Sequence, residues 1–497
     1  MNVNTKTAFI AFLLCASGCD DNTTRPPVPA VSEARPSQSF TREVQEDPAD
    51  EAFETFKRDA FRRELRFREA LTPGHLAKTT RIRQTEIRAG LWSPDDLYAI
   101  GGQLFDLSFS PADGLGTAEI KSFRRVHKGR TANIDAVRCS ACHWRGGEAG
   151  AGDAADNVYF DGDGDRPDTA LERNAPALVG AGALELAGQT LSADLKAQRD
   201  RLFEFTANAG YPVRDRLTSQ GIDFGFLTVH PDGRVEMEEL EGVDDDLTIK
   251  PFGRKGQFES IREMVEESLF THHGLQTQWM VENWSRERLG DGPNSDPDND
   301  GVEHEITEGQ VTALTLYLAL QPLPTIEPPA DNRLMTKWGR GRIIFNTIGC
   351  ADCHQPAITL NSTRYSLKDR QTHSFMEFDL KTEGAPPRIN DGLLDGQNTL
   401  RLFSDLKRHR MGEQLADPRA TNGLYADEFM TPPLWGLARS RPYLHDGRAP
   451  TIEDAILLHG GEAESSRDAF VGLTEDDRGA LRTFLTSLNR ARRFTAR

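Results

Sequence analysis

Two five-residue segments decide how this chain folds: Cys139-Ser-Ala-Cys-His143 and Cys350-Ala-Asp-Cys-His354. Both have the spacing Cys-x-x-Cys-His, which is typical of a c-type haem attachment site. The two thiols add to the two vinyl groups of one haem, and the histidine that follows reaches the iron from the same turn. The sequence therefore predicts two covalently bound haems c, with His143 and His354 as proximal iron ligands.

Other interpretations of the paired cysteines fit less well. The chain has six cysteines, of which Cys15 and Cys19 lie near the N-terminus. Four remaining cysteines in an exported protein would ordinarily suggest two disulfides, and a zinc site would need further cysteines nearby. A redox pair would not need the histidine. Every remaining cysteine instead belongs to a haem motif, as Cys139, Cys142, Cys350 and Cys353.

Length and composition set broad limits. The chain has 497 residues, enough for two to four domains, with 37% hydrophobic and 27% charged residues. These fractions are typical of a globular protein. The net charge of −18 argues against a general nucleic-acid or anionic-membrane binder. An acidic surface would suit a basic or neutral partner protein.

The N-terminus carries an export pattern. Lys6 precedes an apolar run from Ala8 to Ala16, which is too short to span a membrane. The run ends in Ala16-Ser-Gly-Cys19, which resembles a bacterial lipobox. We expect residues 1–18 to be a lipoprotein signal peptide and Cys19 to be lipidated. Ordinary signal-peptidase cleavage is the alternative. Both predict export, and lipidation predicts a periplasmic protein anchored to a bacterial membrane.

Composition also suggests the order of domains. Residues 19–52 are rich in proline and acidic residues and predict a flexible tether. Residues 53–90 predict a helical N-terminal extension. A proline-rich joint at 321–329 then separates two c-type haem domains. The N-terminal domain is predicted at 91–325 and the C-terminal domain at 330–497.

The fold class predicted is mainly α, as two cytochrome c-like haem domains with long loops. Apolar spacing of 3.6 residues predicts five helices, and Thr474 is the predicted N-cap of the last. The five segments are Arg262–Phe270, Gly309–Leu320, Lys337–Thr347, Ile452–His459 and Glu475–Leu488.

Several motifs resemble those of the di-haem oxidoreductases, a family related to bacterial di-haem cytochrome c peroxidases and to the enzyme that matures methylamine dehydrogenase. The resemblance covers roughly residues 95 to 490. It implies a periplasmic, mainly helical, two-domain fold with one haem in each domain. The C-terminal motifs are Thr431-Pro-Pro-Leu-Trp-Gly436, Arg441-Pro-Tyr-Leu-His-Asp-Gly-Arg448, Ala455-Ile-Leu-Leu-His-Gly-Gly461 and the stretch containing Ser404-Asp-Leu, His409 and Met411-Gly412. Earlier in the chain, the match includes Arg173-Asn-Ala-Pro-Ala-Leu178, the region Phe252 to Gly274, Asp300-Gly-Val and Glu305-Ile-Thr-Glu-Gly309.

At the C-terminal haem, the resemblance implies a distal ligand fourteen residues after His445. That position is His459. The peroxidases have methionine there and the methylamine enzyme has tyrosine, so His459 would give a bis-histidine relay haem with His354. The alternative is that His459 only caps its helix before Gly460.

At the N-terminal haem, the family's closing histidine corresponds to Arg166, so this haem is expected to be open or closed by an unrelated group. His272 lies near the position of the family's catalytic glutamate, with His273 adjacent. Either could act as acid–base for O–O cleavage or bind the iron, or both could be helix-end residues facing solvent. Arg254 replaces the tryptophan between the haems, for which Trp144, Trp435 or propionate contacts would have to substitute.

Calcium is a further expectation from the resemblance. Its ligands would be Asn174, Ser440 and the carbonyl of Pro442. Two aspartate-rich loops, Asp161–Asp165 and Asp296–Gly301, also look like calcium loops. Neither completes an EF-hand, because position twelve of the second is Thr307, and solvated acidic turns are the alternative.

Two functions remain open from the sequence. The first is a peroxidase-like oxidoreductase in which the C-terminal haem relays electrons and the N-terminal haem activates peroxide or dioxygen. The second is a lipid-tethered electron carrier without its own substrate chemistry. Either would exchange electrons with a partner protein, contact the membrane only through the lipid, and bind no nucleic acid.

Overall fold

The computed structural model describes residues 81–116, 125–127, 130–132, 136–153, 157–159, 171–284, 289–290, 292–370, 374–381, 398–421 and 423–490. All of them belong to one compact unit, Thr55–Arg497. The predicted signal peptide, Cys19, the tether, most of the N-terminal extension, the loop Asp161–Asp165 and Arg166 lie outside the described residues.

Helix predominates over strand in the described residues. The α-helices are α1 (Gln84–Arg88), α2 (Pro94–Asp106), α3 (Ala181–Ala209), α4 (Ile261–His273), α5 (Gln278–Asn283), α6 (Glu308–Ala319), α7 (Asn332–Thr347), α8 (Cys350–Cys353), α9 (Ile452–Leu457), α10 (Glu464–Val471) and α11 (Glu475–Leu485). The expected helical character is therefore confirmed. The extent of the small sheets was not predicted.

The strands form small antiparallel sheets. Most are two-stranded, and β5, β6 and β7 form a three-stranded sheet. The strands are β1 (Arg125–His127), β2 (Arg130–Ala132), β3 (Asn157–Tyr159), β4 (Leu171–Arg173), β5 (Val213–Ser219), β6 (Ile222–Val229), β7 (Val235–Glu236), β8 (Thr325–Ile326), β9 (Ile358–Thr359), β10 (Arg364–Lys368), β11 (Ser374–Asp379), β12 (Thr399–Leu400), β13 (Arg408–Arg410), β14 (Glu428–Met430) and β15 (Leu488–Asn489).

All five helices predicted from apolar spacing are present, as α4, α6, α7, α9 and α11. Their bounds differ from the predicted ones by a few residues at each end, which is usual for helix termini. Thr474 caps α11 as predicted, because its hydroxyl accepts a hydrogen bond from the Asp477 amide at 3.2 Å.

The larger core is built around α6, which is buried on every side. Two glycines allow neighbouring helices to reach its backbone. A Cβ at Gly101 of α2 would lie 2.1 Å from the Ala313 carbonyl oxygen, and one at Gly182 of α3 would lie 2.3 Å from that of Ala319. This core also includes residues from the second half of the chain, among them Leu406 and Trp435.

A smaller core lies between α7 and α11. Phe345, Phe403 and Phe484 pack edge-on with ring centroids 5.4–6.1 Å apart. Cys350 packs against this core, whereas Cys139 packs against the larger one. Each Cys-x-x-Cys-His segment thus rests on its own hydrophobic cluster. In the described part of the chain, no helix has the length and apolarity needed to cross a bilayer.

Candidate haem sites

The first Cys-x-x-Cys-His segment forms a short 3-10 turn, Cys139–Ala141, followed directly by His143. The His143 amide donates to the Cys139 carbonyl at 3.1 Å. Its side-chain Nδ1 lies 2.9 Å from the Pro176 carbonyl oxygen. A carbonyl only accepts, so Nδ1 carries the hydrogen and Nε2 keeps the lone pair that a metal needs.

The second segment repeats this arrangement. Cys350–Cys353 forms the one-turn helix α8, and the His354 amide donates to the Cys350 carbonyl at 2.9 Å. The Nδ1 of His354 lies 3.0 Å from the Phe403 carbonyl oxygen. Two segments more than two hundred residues apart therefore present an imidazole with the same tautomer and the same available nitrogen.

Both imidazoles are held neutral. Burial is the main reason that the pKa of His143 falls to about 4, and the nearby His272 and Arg254 lower it further. Burial likewise lowers the pKa of His354 to about 4, with His459 as the next contribution. A neutral imidazole is the form that binds iron, so no proton has to be displaced at pH 7.

The cysteines also fit a c-type haem. None of the four is in a disulfide. Burial raises the pKa of Cys139 and of Cys350 to about 12, so each remains a protonated thiol at neutral pH. Thioether formation with the haem vinyl groups consumes two thiols. The donor set of two thiols and one neutral imidazole is the set that haem c requires.

His459 lies beside the second segment. Its Nδ1 lies 2.7 Å from the Ala455 carbonyl one turn earlier, as expected of a residue that caps its own helix. That bond leaves Nε2 available, and His459 is close enough to His354 to lower the pKa of that histidine. Helix capping and iron ligation are therefore compatible at His459.

The adjacent histidines at the end of α4 differ in their surroundings. His273 is 2% exposed; its Nδ1 lies 2.9 Å from the Ala136 carbonyl and its Nε2 lies 3.6 Å from the Cys139 sulfur. His272 is only partly buried and is close enough to His143 to lower the pKa of that histidine. His272 is the better candidate for a residue over the first haem, and His273 supports the cysteine beside it.

His409 was quoted in the family resemblance but not as a site residue. Its Nδ1 donates to Glu462 at 2.7 Å and its Nε2 to Asp405 at 2.8 Å, and its Nδ1 lies 4.0 Å from the Cys353 sulfur. Burial disfavours its charge, but these hydrogen bonds together raise the pKa of His409 to about 12. A charged histidine thus adjoins the second attachment site.

Of the three predicted calcium ligands, Asn174 and Pro442 are in contact. Asn174 is 2% exposed, its Nδ2 donates to the Pro442 carbonyl at 2.9 Å, and its buried Oδ1 has no hydrogen-bond partner among the described residues. The Ser440 hydroxyl donates instead to the Gly436 carbonyl at 2.8 Å. The backbone oxygen of Asn174 accepts from Arg254.

Trp435 is one of the two tryptophans expected to substitute for the family tryptophan that Arg254 replaces. It is 8% exposed and packs on Gly180 at the start of α3, so it joins the second half of the chain to the larger core. Its indole nitrogen donates to the Arg401 carbonyl at 3.0 Å.

The residues missed by sequence reasoning lie inside or beside the quoted motifs. Pro176 falls within Arg173–Leu178, and Phe403 directly precedes Ser404. Because both act through backbone carbonyls, side-chain chemistry gave no signal for them. Asp405 and Glu462 were missed because they act on His409 rather than on the predicted iron ligands.

Comparison with known families supports the resemblance. Residues 325–488 match the family described as "Di-haem oxidoreductase, putative peroxidase". The matched segment, which holds Cys350, Cys353, His354 and His459, is similar to this family. The comparison with curated proteins gives no match.

Three solved structures are similar to the chain at low identity. One is hydrazine synthase of Kuenenia stuttgartiensis pressurised with xenon, with 15% identity over 94% of this chain and 100% of that chain, and a TM-score of 0.34. The diheme peroxidase BthA from Burkholderia thailandensis has 16% identity over 81% and 89%, with a TM-score of 0.35. A MauG-like protein associated with microbial copper homeostasis has 14% identity over 53% and 78%, with a TM-score of 0.26.

Proposed function

We propose that this protein is a periplasmic di-haem c-type cytochrome with peroxidase-like oxidoreductase activity. Cys350, Cys353, His354 and His459 would hold the C-terminal haem, which would relay electrons. The N-terminal haem, held by Cys139, Cys142 and His143, would react with peroxide or dioxygen. An electron-donor or electron-acceptor protein would complete the cycle.

One observation carries the proposal. His143 and His354 each give their Nδ1 hydrogen to a backbone carbonyl, at 2.9 Å and 3.0 Å, and so keep Nε2 available on a neutral ring. A carbonyl partner of this kind orients metal-bound histidines and makes them stronger ligands. Both segments have such a carbonyl partner. This supports a proximal ligand at each segment, rather than at one segment only.

Haem, when bound, supplies electron transfer and, where an axial position can be exchanged, binding of peroxide or dioxygen. The contribution of the chain at the N-terminal site would be proton movement. His272 would accept a proton from peroxide at an imidazole nitrogen and return it to the leaving oxygen. His273 would hold the segment around Cys139, because both of its ring nitrogens already have partners.

An electron carrier without substrate chemistry is the second candidate, and one observation favours it. His272 lowers the pKa of His143 just as His459 lowers that of His354. This correspondence would also arise if His272 were an axial ligand and both haems were bis-histidine. Such a protein would have no exchangeable iron position.

The spectrum of the resting ferric holoprotein separates these functions. A high-spin signal from one of the two haems is expected for the oxidoreductase, and cyanide should perturb only that haem. Two low-spin haems that do not react with cyanide or peroxide would contradict the oxidoreductase function and favour the electron-carrier function.

The cellular location is a separate part of the proposal. If Cys19 carries a lipid, Cys19→Ala should move the protein from the membrane fraction to the soluble periplasm, because one anchoring group is then lost. A Cys15→Ala variant is the matched control and should remain membrane-bound. A wild-type protein that is already soluble would contradict the lipid anchor without contradicting export.

A further inference from the structure

The segment from Asp296 to Glu305, here called the acidic loop, precedes α6 and belongs to neither haem motif. Asp296, Asp298 and Glu305 are 7%, 8% and 6% exposed, and Asp300 is partly buried. Burying carboxylates is costly unless opposite charge or hydrogen bonds compensate for it. The acidic loop therefore differs from the solvated acidic turn that was one of its two interpretations.

The three aspartates converge on one point. One carboxylate oxygen from each of Asp296, Asp298 and Asp300 lies within 4.8 Å of the others. Backbone amides orient two of these side chains. The two oxygens of Asp296 accept from the Asp300 and Gly301 amides at 3.1 and 3.0 Å, and Asp300 Oδ1 accepts from Val302 at 2.7 Å.

Asp298 supplies an independent observation. Both of its carboxylate oxygens are buried and have no hydrogen-bond partner among the residues that the structure describes, and the same holds for Asp300 Oδ2. Buried polar atoms in native proteins nearly always have a partner. Since Asp298 is over nine-tenths buried and points at the other two carboxylates, the missing partner belongs in the centre of the cluster.

The geometry agrees with a missing cation. The carboxylates of Asp296, Asp298 and Asp300 lie close enough together to repel one another when ionised. A divalent cation bound between them would reverse that repulsion.

We propose that Asp296, Asp298 and Asp300 bind a divalent cation of the calcium class, with Glu305 at the end of the same loop. Calcium prefers six to eight oxygen ligands and tolerates irregular geometry, and it is bound in many loops by acids at positions one, three and five. Glu305 stands at position ten of this loop, so the site is not an EF-hand. The proposal is independent of haem chemistry and of the candidate calcium ligands at Asn174.

The cation would also fix the backbone behind α4. Glu305 Oε2 accepts from the Gln276 amide at 2.7 Å, and Thr277 pairs with Ile306 in a parallel bridge. Gln276 lies only three residues after His273, at the end of the helix that carries the candidate acid–base histidines. Binding at the acidic loop is therefore expected to order residues 274–278.

The test compares calcium binding by the chelator-treated holoprotein with that of two variants. Asp298→Asn should bind one calcium ion fewer per chain than wild type, by calorimetric titration with calcium chloride. Asp245→Asn is the matched control, because Asp245 is an exposed acid in a run whose neighbour Asp244 already pairs with Lys250 and Arg408. It should bind as wild type does. A calcium ion bound at Asn174 would be present in wild type and in both variants, so it does not affect the difference in stoichiometry.

Equal calcium stoichiometry in wild type and Asp298→Asn would overturn the site. If Asp298→Asn does not fold, Asp300→Asn serves in its place. In wild type, calcium should slow hydrogen exchange in residues 274–278 and 296–305, and unchanged exchange there would overturn the proposal. If the cluster holds protons instead, Asp298→Asn should raise the melting temperature and wild type should not respond to calcium.

Discussion

The two Cys-x-x-Cys-His segments hold their proximal histidines alike but have different surroundings. At the second segment, His409 lies between the carboxylates of Asp405 and Glu462 beside the Cys353 sulfur. At the first segment, the neighbours of His143 include His272 and the guanidinium of Arg254. The matched part would therefore supply one iron ligand at each segment, and the different surroundings would allow the two proposed haems to have different roles.

The difference extends to the packing of each segment. The second segment rests on the aromatic cluster of Phe345, Phe403 and Phe484, and the same Phe403 provides the carbonyl for His354. The first segment rests on the larger core, and its carbonyl comes from Pro176. One proximal histidine is thus tied to a compact helical pair and the other to the central core of the molecule.

The largest effect should come from removing one attachment site. Replacing both Cys350 and Cys353 with alanine should leave one covalent haem per chain instead of two, because the two thioether bonds of that haem are lost. A pyridine haemochrome assay on denatured protein measures the haem count. The equivalent Cys139 and Cys142 variant is the matched control and should also retain one haem. Zinc in place of haem in the wild type would contradict both assignments.

The next effect concerns catalysis at the first haem. A distal acid–base histidine contributes roughly a hundred- to ten-thousand-fold. His272→Ala should slow the reaction with peroxide by that order, in stopped-flow measurements, while both haems remain attached. Neighbours on a helix point about 100° apart, so His272 and His273 cannot both face one iron.

His273→Ala is the control for that measurement. It should react with peroxide at close to the wild-type rate but lose about 1–3 kcal/mol of stability, because the buried Ala136 carbonyl loses its partner. Equal peroxide rates in wild type and His272→Ala would exclude His272 as the acid–base group. A high-spin signal that appears only in His272→Ala would identify His272 as an iron ligand and favour the electron carrier.

His459→Ala should change the second haem alone. If His459 binds iron, the variant should convert that haem from low-spin to high-spin or water-ligated and shift its potential, because the axial ligand strongly influences haem potentials. His409→Ala is a suitable comparison, since it removes a neighbouring histidine and should keep the haem low-spin. An unchanged spectrum in His459→Ala would mean that His459 only caps its helix.

The smallest expected effect is at Arg254. Burial is the main reason that its pKa falls to about 10, so it still carries a charge at pH 7 beside His143. Arg254→Gln should lower the potential of the first haem by on the order of tens of millivolts, because a positive charge favours the reduced state. Arg254→Lys should retain most of the wild-type value. Equal shifts of both haems would contradict a local charge effect.

The amino-acid sequence by itself determined the features that depend on local spacing. Two thiols and a histidine within five residues predict each haem attachment site, whatever surrounds them. Apolar periodicity gave the helices α4, α6, α7, α9 and α11, and Thr474 gave the start of the last one. These features depend on residues only a few positions apart, so they can be predicted from the sequence alone.

Only the tertiary structure decided how each histidine is held. The carbonyls of Pro176 and Phe403 lie 33 and 49 residues from the imidazoles that they orient, and any residue could supply a carbonyl. Which of His272 and His273 faces the first site depends on how the end of α4 packs against Cys139. The unpartnered Asp298 is visible only once burial is known. Packing between residues far apart in the chain fixes these features, and it cannot be predicted from the spacing of residues along the sequence.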